Sequence, residues 1–193
     1  MIGDFKALKI AIGYGDCQLV EYLLAKGAAT NESILECAAS HPFRACELSR
    51  MLLRAYCPVS YRALRYLITN TDAGTLRLAL HLNLDVDSAL IKLAILAGYD
   101  MLSAILSCDP HIDSSTLRLA IRVGDINMVE LLMAHNPMLD ASLINAALIS
   151  GHFKLARMLA SRNVPATTDT LRLATRYNQV DIINNLTARG IPE

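Results

Sequence analysis

The chain has 193 residues, enough for one globular domain or one short repeat array, and its 18 basic residues balance 18 acidic ones. A formal net charge of zero supplies no global pull toward nucleic acid or an anionic membrane. The composition is 53% hydrophobic with a mean hydropathy of +0.34, yet no apolar run approaches the roughly 18 residues that cross a bilayer, so this apolarity belongs to helices packed on one another. Neither a basic leader nor a long apolar segment opens the chain, and no signal peptide is expected.

In chain order, residues 8–28 read LKIAIGYGDCQLVEYLLAKGA. Leu8, Ala11 and Ile12 recur at helical spacing, Gly15-Asp16 interrupts, Leu19, Val20, Leu23 and Leu24 form a second apolar stripe, and Gly27-Ala28 ends it. The same order returns in residues 115–136, STLRLAIRVGDINMVELLMAHN, and twice more at intervals of 27, in 142–163 and 169–190. Ala120, Ala147 and Ala174 align, as do Leu117, Ile144 and Leu171, then Leu132, Leu159 and Leu186. In the turn column stand Gly124, Gly151 and Asn178, residues that tolerate a left-handed backbone. Met128, Leu131 and Leu132 are the expected core face of the second helix. A fixed period of this size predicts a solenoid whose helical hairpins bury their apolar faces by stacking.

These segments resemble the ankyrin repeat. Residues 8–12 stand where its TPLHLAA first helix does, Gly15-Asp16 at its turn, Leu19-Val20 and Leu23-Leu24 at its VVxLLL second helix, and Gly27-Ala28 at its ending. Ankyrin repeats run to about 33 residues and carry a β-hairpin finger, whereas this spacing leaves only a short loop such as 136–140. Thr116, Leu143 and Thr170 replace the Pro of TPLH, and Arg118, Asn145 and Arg172 replace its His. No finger-tip binding residues are therefore carried over. The expected fold is all-α, an α-solenoid of about seven stacked helix-turn-helix, ankyrin-like repeats in a single domain over 1–193. The repeats are placed at 5–30, 31–58, 59–86, 87–113, 114–140, 141–167 and 168–193. Pro58, Pro110, Pro137 and Pro165 punctuate their ends.

The second repeat is irregular: its turn reads Ser40-His41-Pro42-Phe43, and its second helix, expected at 44–55, is long, with Pro42 suited to open it. Helices are predicted next at 60–70, 72–82, 88–97 and 100–107, with Leu78 and Leu106 in the Leu132 column. Residues 75–79 read TLRLA, as do 116–120, and residues 76–86 alternate with the period of a strand. The helical reading is preferred because a lone strand would leave its backbone groups unpaired. In the last repeat Thr175 replaces Ile121 and Leu148, and Asn185 replaces Leu131 and Met158, the polar substitution expected of a terminal cap. The first repeat lacks it, which leaves the N-terminal edge as a surface for self-association.

No catalytic constellation stands out: there is no phosphate loop, no glycine-flanked serine and no paired metal ligands. The five cysteines are odd in number and widely spaced, and read as buried, reduced thiols of a cytosolic protein. The five histidines fall in different repeats and read as structural or solvated. No enzyme activity, cofactor or metal is expected.

The resemblance implies a partner held in a concave groove lined by the ends of the first helices. By alignment these are Gly13 and Tyr14, Ser40 and His41, Ile68 and Thr69, Leu96 and Ala97, Arg122 and Val123, Ile149 and Ser150, and Arg176 and Tyr177. A second column, Lys9, Glu36, Leu64, Lys92, Arg118, Asn145 and Arg172, is basic at four of seven positions. Its charges either meet an acidic protein segment or turn to water and to Asp113, Asp140 and Asp169. The partner-binding candidates are Tyr14, His41, Thr69, Arg118, Arg122, Arg172, Arg176 and Tyr177. The expectation is a non-enzymatic protein-protein interaction module, an adaptor, inhibitor or scaffold in the cytoplasm, of its own cell or of a host. Two alternatives stay open: a nucleic-acid-binding solenoid using the basic column, disfavoured by the scarcity of aromatics for stacking, and an accessory subunit of a larger assembly.

Overall fold

The computed structural model describes residues 2–82, 84–135 and 137–191, with side chains from Phe5 onward. The described residues form fourteen α-helices and no strand, in two compact units. Unit 1, residues 1–108, holds α1 (Ile2–Tyr14), α2 (Cys17–Ala25), α3 (Glu32–Ala39), α4 (Ala45–Arg54), α5 (Tyr61–Asn70), α6 (Ala73–Leu80), α7 (Ser88–Ala97) and α8 (Tyr99–Leu106). Unit 2, residues 109–193, holds α9 (Ser114–Val123), α10 (Ile126–Met133), α11 (Ser142–Ile149), α12 (Phe153–Ser161), α13 (Thr168–Arg176) and α14 (Val180–Ala188). Each predicted repeat contains one consecutive pair of helices. The stretch at 76–80, where a strand period competed, is helical. Asn83 and Asn136, the latter opening the loop predicted at 136–140, lie outside the described residues.

Helix starts are set by side-chain caps. Asp16, Asn31, Ser60, Asp72, Asp87 and Asp113 each accept the amide three residues on, at 2.7–3.1 Å, satisfying a donor that the helix itself cannot. Helix stops are equally local. Gly15, Gly124, Gly151 and Asn178 all have positive φ, as the turn column requires. The next amide then reaches back to close the helix in three of these turns: Asp16 to Ala11, His152 to Ala147 and Gln179 to Ala174, at 2.9–3.0 Å.

Within each unit a helix packs on its pair-mate and on the helix two places along. In unit 1, α1, α3, α5 and α7 form one file and α2, α4, α6 and α8 the other; in unit 2, α9, α11 and α13 are in contact, as are α12 and α14. The core between the files repeats from pair to pair. Leu8, Leu35, Leu64 and Ile91 in unit 1, and Leu117, Ile144 and Leu171 in unit 2, are all buried. Each such side chain contributes about 1.5–3 kcal/mol by leaving water.

Several sequence expectations need correction, most of them for one reason. The N-caps Asn31, Ser60, Asp87 and Asp113 are 29, 27 and 26 residues apart, so a strict period of 27 falls two residues short before α5 and runs one residue over before α9. Five residues, 40–44, separate α3 from α4, more than in any other pair, whereas Gly98 alone separates α7 from α8. Counted from its cap, Leu64 belongs with Leu117 and is buried, so it is not a surface member of the basic column; Arg65 takes that place and is exposed. Ile68 likewise belongs with Ile121 in the core, and Thr69 takes the exposed position of Arg122. Leu78 faces outward at 36% exposure while Ala79 is buried in the Leu132 column, and Ile105 rather than Leu106 is its counterpart in α8.

Three smaller differences are independent of the slip. In α10 the buried face is Met128, Val129 and Leu132, and Leu131 is only half-buried. Pro42 lies in the turn before α4 and not in the helix. Of the five free cysteines only Cys57 is buried; Cys108 is exposed and the others are half-buried.

Candidate functional site

The candidate residues lie on or beside the odd-numbered helices. In unit 1, Tyr14 ends α1 and is 86% exposed. His41 follows α3 and is half-buried: its Nδ1 accepts the amides of Phe43 and Arg44 at 3.3 and 3.1 Å, and its ring lies against Gly15. That ring is structural on one edge, capping the entry to α4. Thr69 is exposed on α5, its hydroxyl donating to the Arg65 and Tyr66 carbonyls of its own helix. Asn70 beside it donates to the Ala39 carbonyl at 2.9 Å, tying α5 to the end of α3.

In unit 2, Arg118 and Arg122 stand four apart on α9, and Arg172 and Arg176 four apart on α13, so each pair shares one helix face. All four are exposed. Between these helices lies α11, which presents Asn145 and, at 63% exposure, Ile149. Tyr177 is half-buried against Phe153, ring centroids 5.9 Å apart. The carboxylates at the starts of the odd helices answer part of this charge. Arg172 pairs with Asp169 at 3.5 Å, both well exposed, a contact worth little. Asp140 is partly desolvated, which works against its charge, yet the hydroxyl and amide of Ser142, the Ser114 hydroxyl and the nearby Arg118 hold its carboxyl below the usual value.

The same unit contains a close backbone approach. His152, at the start of α12, donates from Nε2 to the Arg122 carbonyl at 3.1 Å and lays its ring on Gly124. A Cβ at Gly124 would meet that ring at 2.3 Å, so glycine is required there both for its φ of +85° and for space.

Sequence reasoning picked out Thr69 but missed the side chains grouped with it. Arg62, Arg65, Tyr66 and Thr69 follow one stripe of α5 and, with Leu93 of α7, line an open hollow of about 320 Å³. Three residues further along α7, on the same side as Leu93, Leu96 is 67% exposed. Counting from the Ser60 cap instead of by the period would have put Arg65 in the basic column. That correction makes the column basic at five of seven positions: Lys9, Arg65, Lys92, Arg118 and Arg172, with Glu36 and Asn145 the exceptions.

On the even-helix side of unit 1 a larger hollow, about 630 Å³, is lined by Arg77, Leu80, His81, Leu84, Ser107 and Cys108. Among the described residues no hydrogen bond joins His81 to Cys108, and the lining has one permanent cation and no carboxylate, so it assembles neither an activated nucleophile nor a charge pair.

No protein-family model matches this chain. No curated protein matches it either. Among the described residues no helix is long and apolar enough to cross a membrane.

Proposed function

We propose that the chain is a non-enzymatic, ankyrin-like helical solenoid that holds a protein partner against the exposed face of its odd helices, as an adaptor, inhibitor or scaffold in the cytoplasm. The observation that carries this reading is the repeated exposure of large side chains at the turn ends of the odd helices. Tyr14, Leu96 and Ile149 all sit at the turn end of an odd helix, outside the core, next to columns rich in Lys and Arg. Apolar and aromatic side chains left in water beside cations are what interface hot spots are made of. The ankyrin-like part is supported by the paired short helices, the positive-φ residue between them and the files of like helices within each unit.

The test is affinity capture from a cell lysate, with and without nuclease, comparing wild type with Arg122→Glu/Arg176→Glu. A protein that survives nuclease and is lost with the variant is the expected result. Recovery of nuclease-sensitive material alone would replace this reading with nucleic-acid binding.

A further inference from the structure

We infer that the α5–α7 face of unit 1 docks an acidic segment of a partner protein, its carboxylates on Arg62 and Arg65 and an adjoining apolar side chain on Tyr66, Leu93 and Leu96. This rests on the partner-binding reading above and gives the partner its chemistry. Arg62, Arg65, Tyr66 and Thr69 are spaced to form one continuous stripe, and Leu93 supplies the facing wall of the hollow. A volume of about 320 Å³ is at the lower end for small-molecule sites and suits a side chain.

The charge balance of this face is one-sided. Helices α5 and α7 contain no Asp or Glu. Helix α5 starts from a neutral cap, Ser60, so its own sequence places no carboxylate one turn below the arginines. The carboxylate that caps α7, Asp87, is occupied by the Leu90 amide at 2.9 Å and the Tyr61 hydroxyl at 3.1 Å. On α3, Glu36 accepts the Ser60 hydroxyl at 2.6 Å. Among the described residues neither Arg62 nor Arg65 has a carboxylate within ion-pair distance, and α1 adds exposed Lys6 and Lys9 to the same file. Two guanidinium groups beside an aromatic ring and aliphatic side chains form a forked, weakly hydrated donor set matched to carboxylates.

A nucleic-acid strand fits less well. A phosphate track needs cations that continue from helix to helix, and Glu36 interrupts this one at α3. Stacked bases need several rings, and the hollow has one, Tyr66. The exposed Leu96 also has no role against phosphate.

The experiment uses the full chain and fluorescence anisotropy with three labelled probes: a peptide of alternating Glu and Leu, its Lys-Leu counterpart, and a single-stranded oligonucleotide. The Glu-Leu peptide is expected to bind, more weakly as salt rises. Arg62→Glu/Arg65→Glu should weaken it about 30-fold or more. Arg54→Glu/Arg157→Glu, the same charge change on even helices, should leave it intact, and circular dichroism of both variants should match wild type. Equal binding by the Arg62→Glu/Arg65→Glu protein, equal loss with the Arg54→Glu/Arg157→Glu control, or preference for the Lys-Leu peptide or the oligonucleotide would overturn the inference. A wild-type chain that captures a nuclease-resistant protein but ignores the Glu-Leu peptide refutes this inference alone. One that captures none refutes the partner-binding reading with it.

Discussion

The two units carry similar numbers of cations on their odd helices and dispose of them differently. In unit 2, Arg172 meets Asp169 in the first turn of its own helix, and Arg118 of α9 lies near Asp140, which precedes α11. In unit 1, α5 starts at Ser60, and the acids nearby are committed: Asp87 to α7 and Tyr61, Glu36 to Ser60. Arg62 and Arg65 consequently have no carboxylate within ion-pair distance among the described residues. Either Ser or Asp makes an adequate cap, but only the acid also neutralises the face above it. On α13 the cap is also neutral, Thr167, and it is Asp169 in the first turn that answers Arg172.

The contrast between the units can be pressed hardest through the core. Leu132 of unit 2 is fully buried, and Leu132→Ala should cost about 2–5 kcal/mol. Leu78 of unit 1, which a strict period equates with it, points outward, and Leu78→Ala should stay within about 0.5 kcal/mol. Urea denaturation of the two variants measures both; comparable losses would discredit the register described here.

A smaller effect is expected at the turns. Gly124 and Gly151 both have positive φ, but only Gly124 is covered by a histidine ring. Gly151→Ala should cost about 1–2 kcal/mol for the backbone alone, and Gly124→Ala about 1–3 kcal/mol more for displacing His152. Adding His152→Ala to each should narrow the gap, and a double-mutant cycle without coupling would remove the ring from the argument.

The smallest effect concerns an ion pair that ties α4 to α6 in unit 1. Hydrogen bonding to Arg50 holds the Asp72 carboxyl at about 2, helped by the Thr75 amide and hydroxyl and opposed by partial burial. A depressed carboxyl contributes stability above its unfolded value, and that contribution disappears as pH falls from about 4 to about 2. Asp72→Asn keeps a side chain able to cap α6 while removing the charge. The midpoint difference between wild type and Asp72→Asn should be modest at pH 7, because the pair is largely exposed, and should vanish near pH 2. A difference independent of pH would show that the charge is irrelevant there.

Much of the helical content was legible because its signals are short-range. Asp113, three residues before Thr116, and Gly124 at the far end bracket α9 by themselves, since capping and a left-handed stop are settled within a few residues. The exposed candidates Tyr14, Arg122 and Arg176 were legible for the same reason, lying at fixed offsets from such stops. Arg62 and Arg65 were not, because their column depends on how many residues two irregular turns add or remove, a sum over Ser40 to Ser60 and over Gly98 that a uniform period averages away. His41 stands both among the histidines read as structural or solvated and among the contact candidates, and its packing on Gly15 gives the ring a structural task.

The segment TLRLA shows where the division falls. At 75–79 and at 116–120 it is preceded by a capping Asp and begins a helix whose Thr, first Leu and Ala are buried. That much the local sequence determined, through cap geometry and the helical period alone. Yet α6 belongs to the even file and α9 to an odd one. Arg77 therefore lines the even-side hollow with His81 and Cys108, while Arg118 joins the face proposed for partners. Which side of the molecule an identical pentapeptide serves is decided by the helices on either side of it, because only packing assigns a capped helix to its file.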